Sequence, residues 1–472
     1  MKKELLKLIH LLFIFLLISG FVQAEVTLPA VFGDNMVMQQ KTEAAIWGKA
    51  LPNKAIIITT SWDEKIYTTQ SDNEGKWKLK VETPSAGGPY NITISDGEIL
   101  KLNNILIGEV WFCSGQSNME MPVKGFPNQP VLGSNKTIAE STNESIRLFS
   151  VTRNFSLSPF DNFDGEWLEC KSENVAEFSA TAYYFGKMLQ EVLGVPIGLI
   201  NSSWGGTRIE PWINEEGIKQ FDFISLENNL KNEKISQQTP SVLYNAMVHP
   251  MVGYAIKGVI WYQGESNRDE PENYLKLFPG LIENWREEWG IGKFPFYYAQ
   301  IAPYDYDPRG LNSAYLREVQ LKVSQIVLKT GMACLMDIGE KYGIHPANKL
   351  VTGERLAYIA LANTYNKNGF EYSGPVLKDM TVKGSLIELT FDHAKNGLTT
   401  YGKELENFKV AGENKRFYPA KAFITHTGLT LFCPPVANPV AVRYAFDNFV
   451  IGELYNTEGL PVSSFRTDNW EK

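Results

Sequence analysis

A chain of 472 residues has room for two to four domains at roughly 100–200 residues each. With 44% hydrophobic and 21% charged residues it has the composition of an ordinary globular protein with a real core. The formal charge of −8 argues against a nucleic-acid partner, because phosphate recognition needs a basic surface.

The first 24 residues read as a secretory signal peptide. Lys2, Lys3 and Lys7 form a basic start, an apolar run extends from Leu8 to Phe21, and Val22-Gln23-Ala24 supplies a small-residue cleavage site. No later stretch reaches the ~18 apolar residues of a spanning helix. No Cys lies near the cleavage site to carry a lipid. The expectation is an exported protein, periplasmic or extracellular, with no stable membrane span once the signal is removed.

Residues 25–103 read as a β domain. Short apolar runs such as Ala45-Ile46-Trp47 and Tyr90-Asn91-Ile92-Thr93-Ile94 alternate with turn clusters such as Asp72-Asn73-Glu74-Gly75. Closely spaced strands with such turns predict a small β-sandwich.

Residues 104–371 change texture to strands alternating with helices. Strands are predicted at Val110–Cys113, Pro196–Ile200, Ala255–Tyr262, Phe296–Ile301 and Met332–Ile338. Helices are predicted at Phe178–Leu193, Tyr274–Trp289 (with Pro279 as a kink or early break), Leu316–Val327 and Asn348–Thr364. This alternation predicts an α/β domain with a parallel sheet covered on both faces. Its ligand site belongs beyond the carboxyl ends of the strands. From residue 372 to 472 the β texture returns, and a second β-sandwich-like domain is expected. The four cysteines are widely spaced, show no CxxC pattern and read as buried small hydrophobes. No metal site and no cofactor are indicated.

Four strand ends in the middle domain lead into polar, glycine-bearing segments. They are Ser114-Gly115-Gln116-Ser117-Asn118-Met119, Asn201-Ser202-Ser203-Trp204-Gly205-Gly206-Thr207, Gln263-Gly264-Glu265-Ser266-Asn267, and Asp337 followed by Gly343-Ile344-His345-Pro346. Together they offer what acyl transfer needs: a nucleophile, a base and donors for an oxyanion. Ser117 sits in a strand-to-helix turn that exposes its hydroxyl and aims helix-start N–H groups at developing charge. Taken alone, such a serine is more often a helix N-cap. Ser114 competes as nucleophile but lies at the strand end. Of five histidines, only His345 both follows the last strand and precedes a helix on the rim of Ser117. A serine hydroxyl needs a base of near-neutral pKa, which histidine supplies. One N–H of Gly205 or Gly206 is a second oxyanion donor, and the Gln263 amide is a third candidate. Glu265 either orients His345 or ties loops together. Gln116, Asn118, Trp204 and Gly206 flank these groups and are the candidate substrate-binding residues. Trp204 and Trp261 either line the pocket or pack in the core.

The Ser-Gly-Gln-Ser-Asn-Met, Asn-Ser-Ser-Trp-Gly-Gly-Thr, Trp-Tyr-Gln-Gly-Glu-Ser-Asn and Ile-His-Pro segments resemble those of the sialate O-acetylesterases, within the Ser-Gly-Asn-His hydrolase superfamily. The likeness extends to Leu454–Pro461 and Phe465–Asp468. It implies a flavodoxin-like catalytic domain, no metal, and hydrolysis of O-acetyl esters from a sugar, typically sialic acid. By position, the resemblance implies Ser117 as nucleophile, His345 as base, and Ser117 N–H, Gly205 and Gln263 around the oxyanion. Many relatives carry an Asp two or three residues before the histidine, where this chain has Tyr342 and Gly343. The orienting acid is then Asp337, Glu265 or Glu340, or the site is a Ser–His dyad. Two other readings remain: an esterase for acetylated polysaccharide such as xylan, and a noncatalytic sugar-binding protein.

Overall fold

A computed structural model describes residues 26–225 and 234–470. The segment read as a signal peptide lies outside these residues. The amino-terminal β layers contain β1 (Val37–Gln39), β2 (Glu43–Lys49), β3 (Ala55–Thr60), β4 (Ile66–Gln70), β5 (Lys76–Glu82) and β6 (Gly87–Ser95). β2 pairs antiparallel with β5, while β3 pairs antiparallel with β4 and with β6.

The next strand, β7 (Ile99–Gly115), is far longer than the predicted Val110–Cys113. Its first half pairs antiparallel with β6, and its second half lies inside a parallel sheet. From Ile105 onward nearly every residue is buried, whereas Ile99–Asn104 includes exposed positions. This is the difference between a strand covered on both faces and one open to water on a side. One continuous strand therefore joins the amino-terminal layers to the parallel sheet.

That sheet also contains β8 (Asn143–Ser150), β9 (Trp167–Cys170), β10 (Ile197–Ser203), β11 (Gly258–Tyr262), β12 (Phe296–Ala299) and β13 (Thr330–Ala333). Its order is β13-β12-β11-β7-β10-β8-β9. All these neighbours run parallel except the edge pair β8 and β9. Sequence patterning misses β8 because the charged Arg147 sits in it. Burial of Arg147 is tolerated because its guanidinium bonds the backbone carbonyls of Glu144 and Ile146.

Five helical segments matter for the site: α1 (Ser117–Glu120), α2 (Ala180–Leu193), α3 (Pro271–Trp289), α4 (Ala314–Ile326) and α5 (Lys349–Asn363). Alternate strand residues face opposite layers, as a period of two requires. Phe112, Trp261 and Phe296 pack with Phe278 and Trp285 of α3 and Leu316 of α4. Trp111, Cys113 and Tyr297 pack with Phe185 of α2 and Ile359 of α5. Pro279 does not end α3, which runs on to Gly290 in the left-handed conformation. The buried face of Tyr274, Leu277, Phe278, Leu281, Ile282 and Trp285 offsets the missing backbone bond. All four cysteines are buried free thiols.

Two four-stranded antiparallel sheets follow, with a small two-stranded one between Leu398–Thr399 and Tyr455–Asn456. One has the order Val376–Lys383, Leu386–Asp392, Gly428–Phe432, Lys421–Thr425, and the other Phe417–Pro419, Phe408–Ala411, Ala441–Tyr444, Phe465–Arg466. They are tied to the parallel sheet by buried polar bonds. Arg317 of α4 donates to the Asp447 carbonyl at 2.6 Å and to Ser464 Oγ, and Gln300 donates to Ser463 Oγ at 2.7 Å. Among the described residues no helix is long and apolar enough to cross a membrane.

Candidate active site

β10 and β11, consecutive parallel-sheet strands in the chain, lie on opposite sides of β7. The carboxyl end of β7 is thus a point where successive connections diverge, which is where parallel α/β sheets bind ligands. Gly115 ends β7 with φ of 142°. A Cβ there would meet the Tyr262 carbonyl oxygen at 2.1 Å, so only glycine lets β7 and β11 stay this close. The chain then turns into α1, whose first residue is Ser117.

The Ser117 hydroxyl donates to His345 Nε2 at 2.7 Å, although the two residues are 228 positions apart. The other imidazole nitrogen, Nδ1, donates to Oε1 of Gln129. The ring edge also packs on Phe126, with centroids 5.6 Å apart. Gln129 accepts through its amide oxygen, so Nδ1 carries the proton and Nε2 is left to receive one. Ser114 is wholly buried in β7, which removes it as a competing nucleophile.

None of the carboxylates expected to orient His345 touches it. Asp337 lies past the end of β13, which stops at Ala333, and is held by a bidentate pair with Arg355, both contacts at 2.7 Å. Glu265 accepts from Asn118 Nδ2 at 2.6 Å. Glu340 accepts the Ala347 N–H at 2.8 Å. Sequence reasoning misses Gln129 because an acid is the expected partner of such a histidine, and nothing local marks a distant amide for that role. An amide oxygen 216 positions away accepts from Nδ1–H just as well.

The expected donors and contact residues also divide. Gly205 lies beside Ser117: a Cβ on it would sit 3.1 Å from Ser117 Cβ. Its N–H donates to Glu120 Oε2 at 2.7 Å. Gln263 is fully buried, and its amide nitrogen is engaged by Asn267 Oδ1 at 2.7 Å and the Thr207 carbonyl at 3.2 Å. It therefore has no free donor for an oxyanion. Gln116 is buried and its amide oxygen accepts from the N–H groups of Gly264 and Ser266. Asn118 is buried too, donating to Glu265 and to the Ile344 carbonyl while accepting from Lys349. Both residues sew the Ser117 turn to neighbouring loops, and the Asn118 amide is engaged at both its oxygen and its nitrogen. Trp204 is half-buried and Gly206 exposed on the same rim. Trp261 is core, set between Trp212 and Trp285.

Residues 107–357 match the family described as carbohydrate esterase, sialic acid-specific acetylesterase. The chain belongs to this family. It is 28% identical to the sialate O-acetylesterase of Mus musculus, over 88% of this chain and 89% of that protein. It is 29% identical to the Homo sapiens sialate O-acetylesterase, over 76% and 75%. The crystal structure of a carbohydrate acetylesterase from Xanthomonas citri superposes with a TM-score of 0.86 at 36% identity, covering 94% of this chain and all of that one.

Electrostatics in this carbohydrate esterase favour a neutral histidine. Burial, aided by the nearby Lys349 ammonium, lowers the His345 pKa to about 4. Burial also lowers Lys349 to about 7, opposed by Glu265 and Glu340. A base with a depressed pKa stays unprotonated as pH falls, until pH reaches that lowered value. The acid limb of kcat/KM is therefore expected near pH 4, well below the limb of an unperturbed histidine. Gln129→Glu should move that limb to higher pH, because a carboxylate at Nδ1 favours the imidazolium. A wild-type limb at or above pH 6.5 would contradict the partly desolvated, uncharged setting of His345.

Proposed function

We propose that this protein is an exported sialate O-acetylesterase that works through an acetyl-enzyme on Ser117. The observation that carries the reading is the 2.7 Å contact between Ser117 Oγ and His345 Nε2. Ser117 Oγ attacks the acetyl carbonyl carbon while His345 Nε2 takes the hydroxyl proton. The oxyanion forms near the Ser117 N–H, which as the first residue of a helical turn has no intrahelical acceptor, and near the Gly205 N–H. His345 passes its proton to the departing sugar oxygen. Water then attacks the acetyl-enzyme with His345 again as base, releasing acetate and restoring Ser117. Gln129 keeps the imidazole in the tautomer that both half-reactions need.

Family membership supports an O-acetylated sugar as substrate. The sialic acid assignment rests on the family description and on the named sialate O-acetylesterase relatives. Export rests on the basic and apolar pattern of the first 24 residues. Acetate release from 9-O-acetylated sialic acid, measured beside release from acetylated xylan, tests the substrate. Sialate is expected to give the higher kcat/KM. A preference for xylan would overturn the sialate assignment while leaving the Ser117 chemistry in place.

A further inference from the structure

Gly205 lies beside Ser117, but its N–H is already occupied. Glu120 Oε2 accepts from it at 2.7 Å, and the other carboxylate oxygen lies 3.2 Å from Arg153 Nη1. A carboxylate in that position both blocks the donor and repels a developing oxyanion. Arg153 follows the carboxyl end of β8, on the rim that holds Ser117. Its guanidinium lies 5.5 Å from the ring centroid of Trp204, next to Gly205, and its side chain is 56% exposed. The other nearby cations are more fully committed. Arg208 is held by Glu210 and Glu270, and Lys349 is buried against Asn118.

We propose that Glu120 and Arg153 form a latch on the oxyanion site, opened when a carboxylate on the substrate sugar takes Arg153 away from Glu120. This deepens the Ser117 reading and rests on it. An arginine fork on an aromatic face is well built to receive a planar carboxylate. Burial raises the Glu120 carboxyl above its ordinary value, opposed by the Gly205 N–H and by Arg153. Loss of Arg153 to the substrate removes the cation that helps keep Glu120 ionised, and a neutral carboxyl is a weaker acceptor for the Gly205 N–H. Once released, the Gly205 N–H is free for the reacting carbonyl. An acidic sugar thus pulls open the site it needs, and a neutral one leaves it capped. Arg153 and Glu120 act here as specificity-determining residues.

The test compares acetylated sugars with their own methyl esters, in which an uncharged ester replaces the carboxylate. With purified full-length enzyme, kcat/KM for acetate release is measured on 9-O-acetylated sialic acid and its methyl ester, and on O-acetylated glucuronic acid and its methyl ester. Wild type is expected to favour the free acid by about tenfold or more, in line with one charge-assisted bidentate contact. Arg153→Gln should erase that ratio, Arg153→Lys should restore part of it, and Glu120→Gln should raise turnover of the methyl ester. A merely structural Arg153 would lower acid and ester together. Equal wild-type rates on acid and ester, or a common fall in Arg153→Gln, would overturn the latch and leave the sialate assignment intact. A preference for the acid on the glucuronate pair alone would overturn the sialate assignment and support the latch. No turnover of either pair would overturn both.

Discussion

Ser117→Ala is expected to lower kcat by roughly 10^4- to 10^6-fold, the scale on which removal of a nucleophile or its base acts in serine hydrolases. The measurement is acetate release from a chromogenic acetate and from an acetylated sugar, using active-site-clean protein from a single preparation. His345→Ala should fall in the same range, because a hydroxyl without its base is a poor nucleophile near neutral pH. The double variant should be no worse than either single variant. The two side chains share one proton transfer, so their contributions do not add. Folding should be nearly unaffected. Ser117 Oγ donates to His345, and both side chains sit on the half-buried rim rather than in the core. A double variant in which the two single losses multiply would mean that the 2.7 Å contact is not the reactive pair.

Much of this site is legible in the residues alone, for a physical reason. Strand ends with glycine and small polar residues mark where a parallel sheet presents its loops, and chain order assigns those loops to one rim. Ser117 and His345 follow from that logic. What does not follow is which of several polar groups faces which. Gln263 and Asn118 carry donor chemistry and stand in the right segments, yet the amide nitrogens of both are spent on neighbouring protein groups. Hydrogen-bond partners depend on rotamers and on packing between distant segments, and local periodicity carries no record of either. Gln129 is the mirror case: nothing nearby marks it, and only the fold brings it to Nδ1. The fold shows the same split. Apart from the long β7, the interior strands and long helices are readable as apolar runs, within a few residues. β8 is not, because a buried arginine that bonds backbone carbonyls through its guanidinium looks like a surface residue in sequence.

Asp337 and Arg355 give the second large effect, and it separates a catalytic acid from a structural one. Arg355 should be the costlier loss. Its guanidinium holds both Asp337 oxygens and also donates to the Cys334 carbonyl at 2.8 Å. The two side chains are only 9% and 14% exposed. Removing one partner of such a pair strands a charge in a poorly solvated place, so Arg355→Met is expected to destabilise the protein by about 3–5 kcal/mol. Asp337→Ala should destabilise in the same direction, and Asp337→Leu combined with Arg355→Met should recover much of the loss by leaving no charge behind. The pair sits at a junction: Met336, beside Asp337, accepts the Gly452 N–H at 2.8 Å, joining the loop after β13 to the carboxyl-terminal β layers. Denaturant unfolding reads the stability. Turnover of the folded fraction reads the chemistry, and there Asp337→Ala should cost less than about tenfold. An acid that orients the base would cost nearer 10^4-fold. A loss of that size in well-folded Asp337→Ala would place Asp337 in the triad and displace Gln129 from its role at the imidazole.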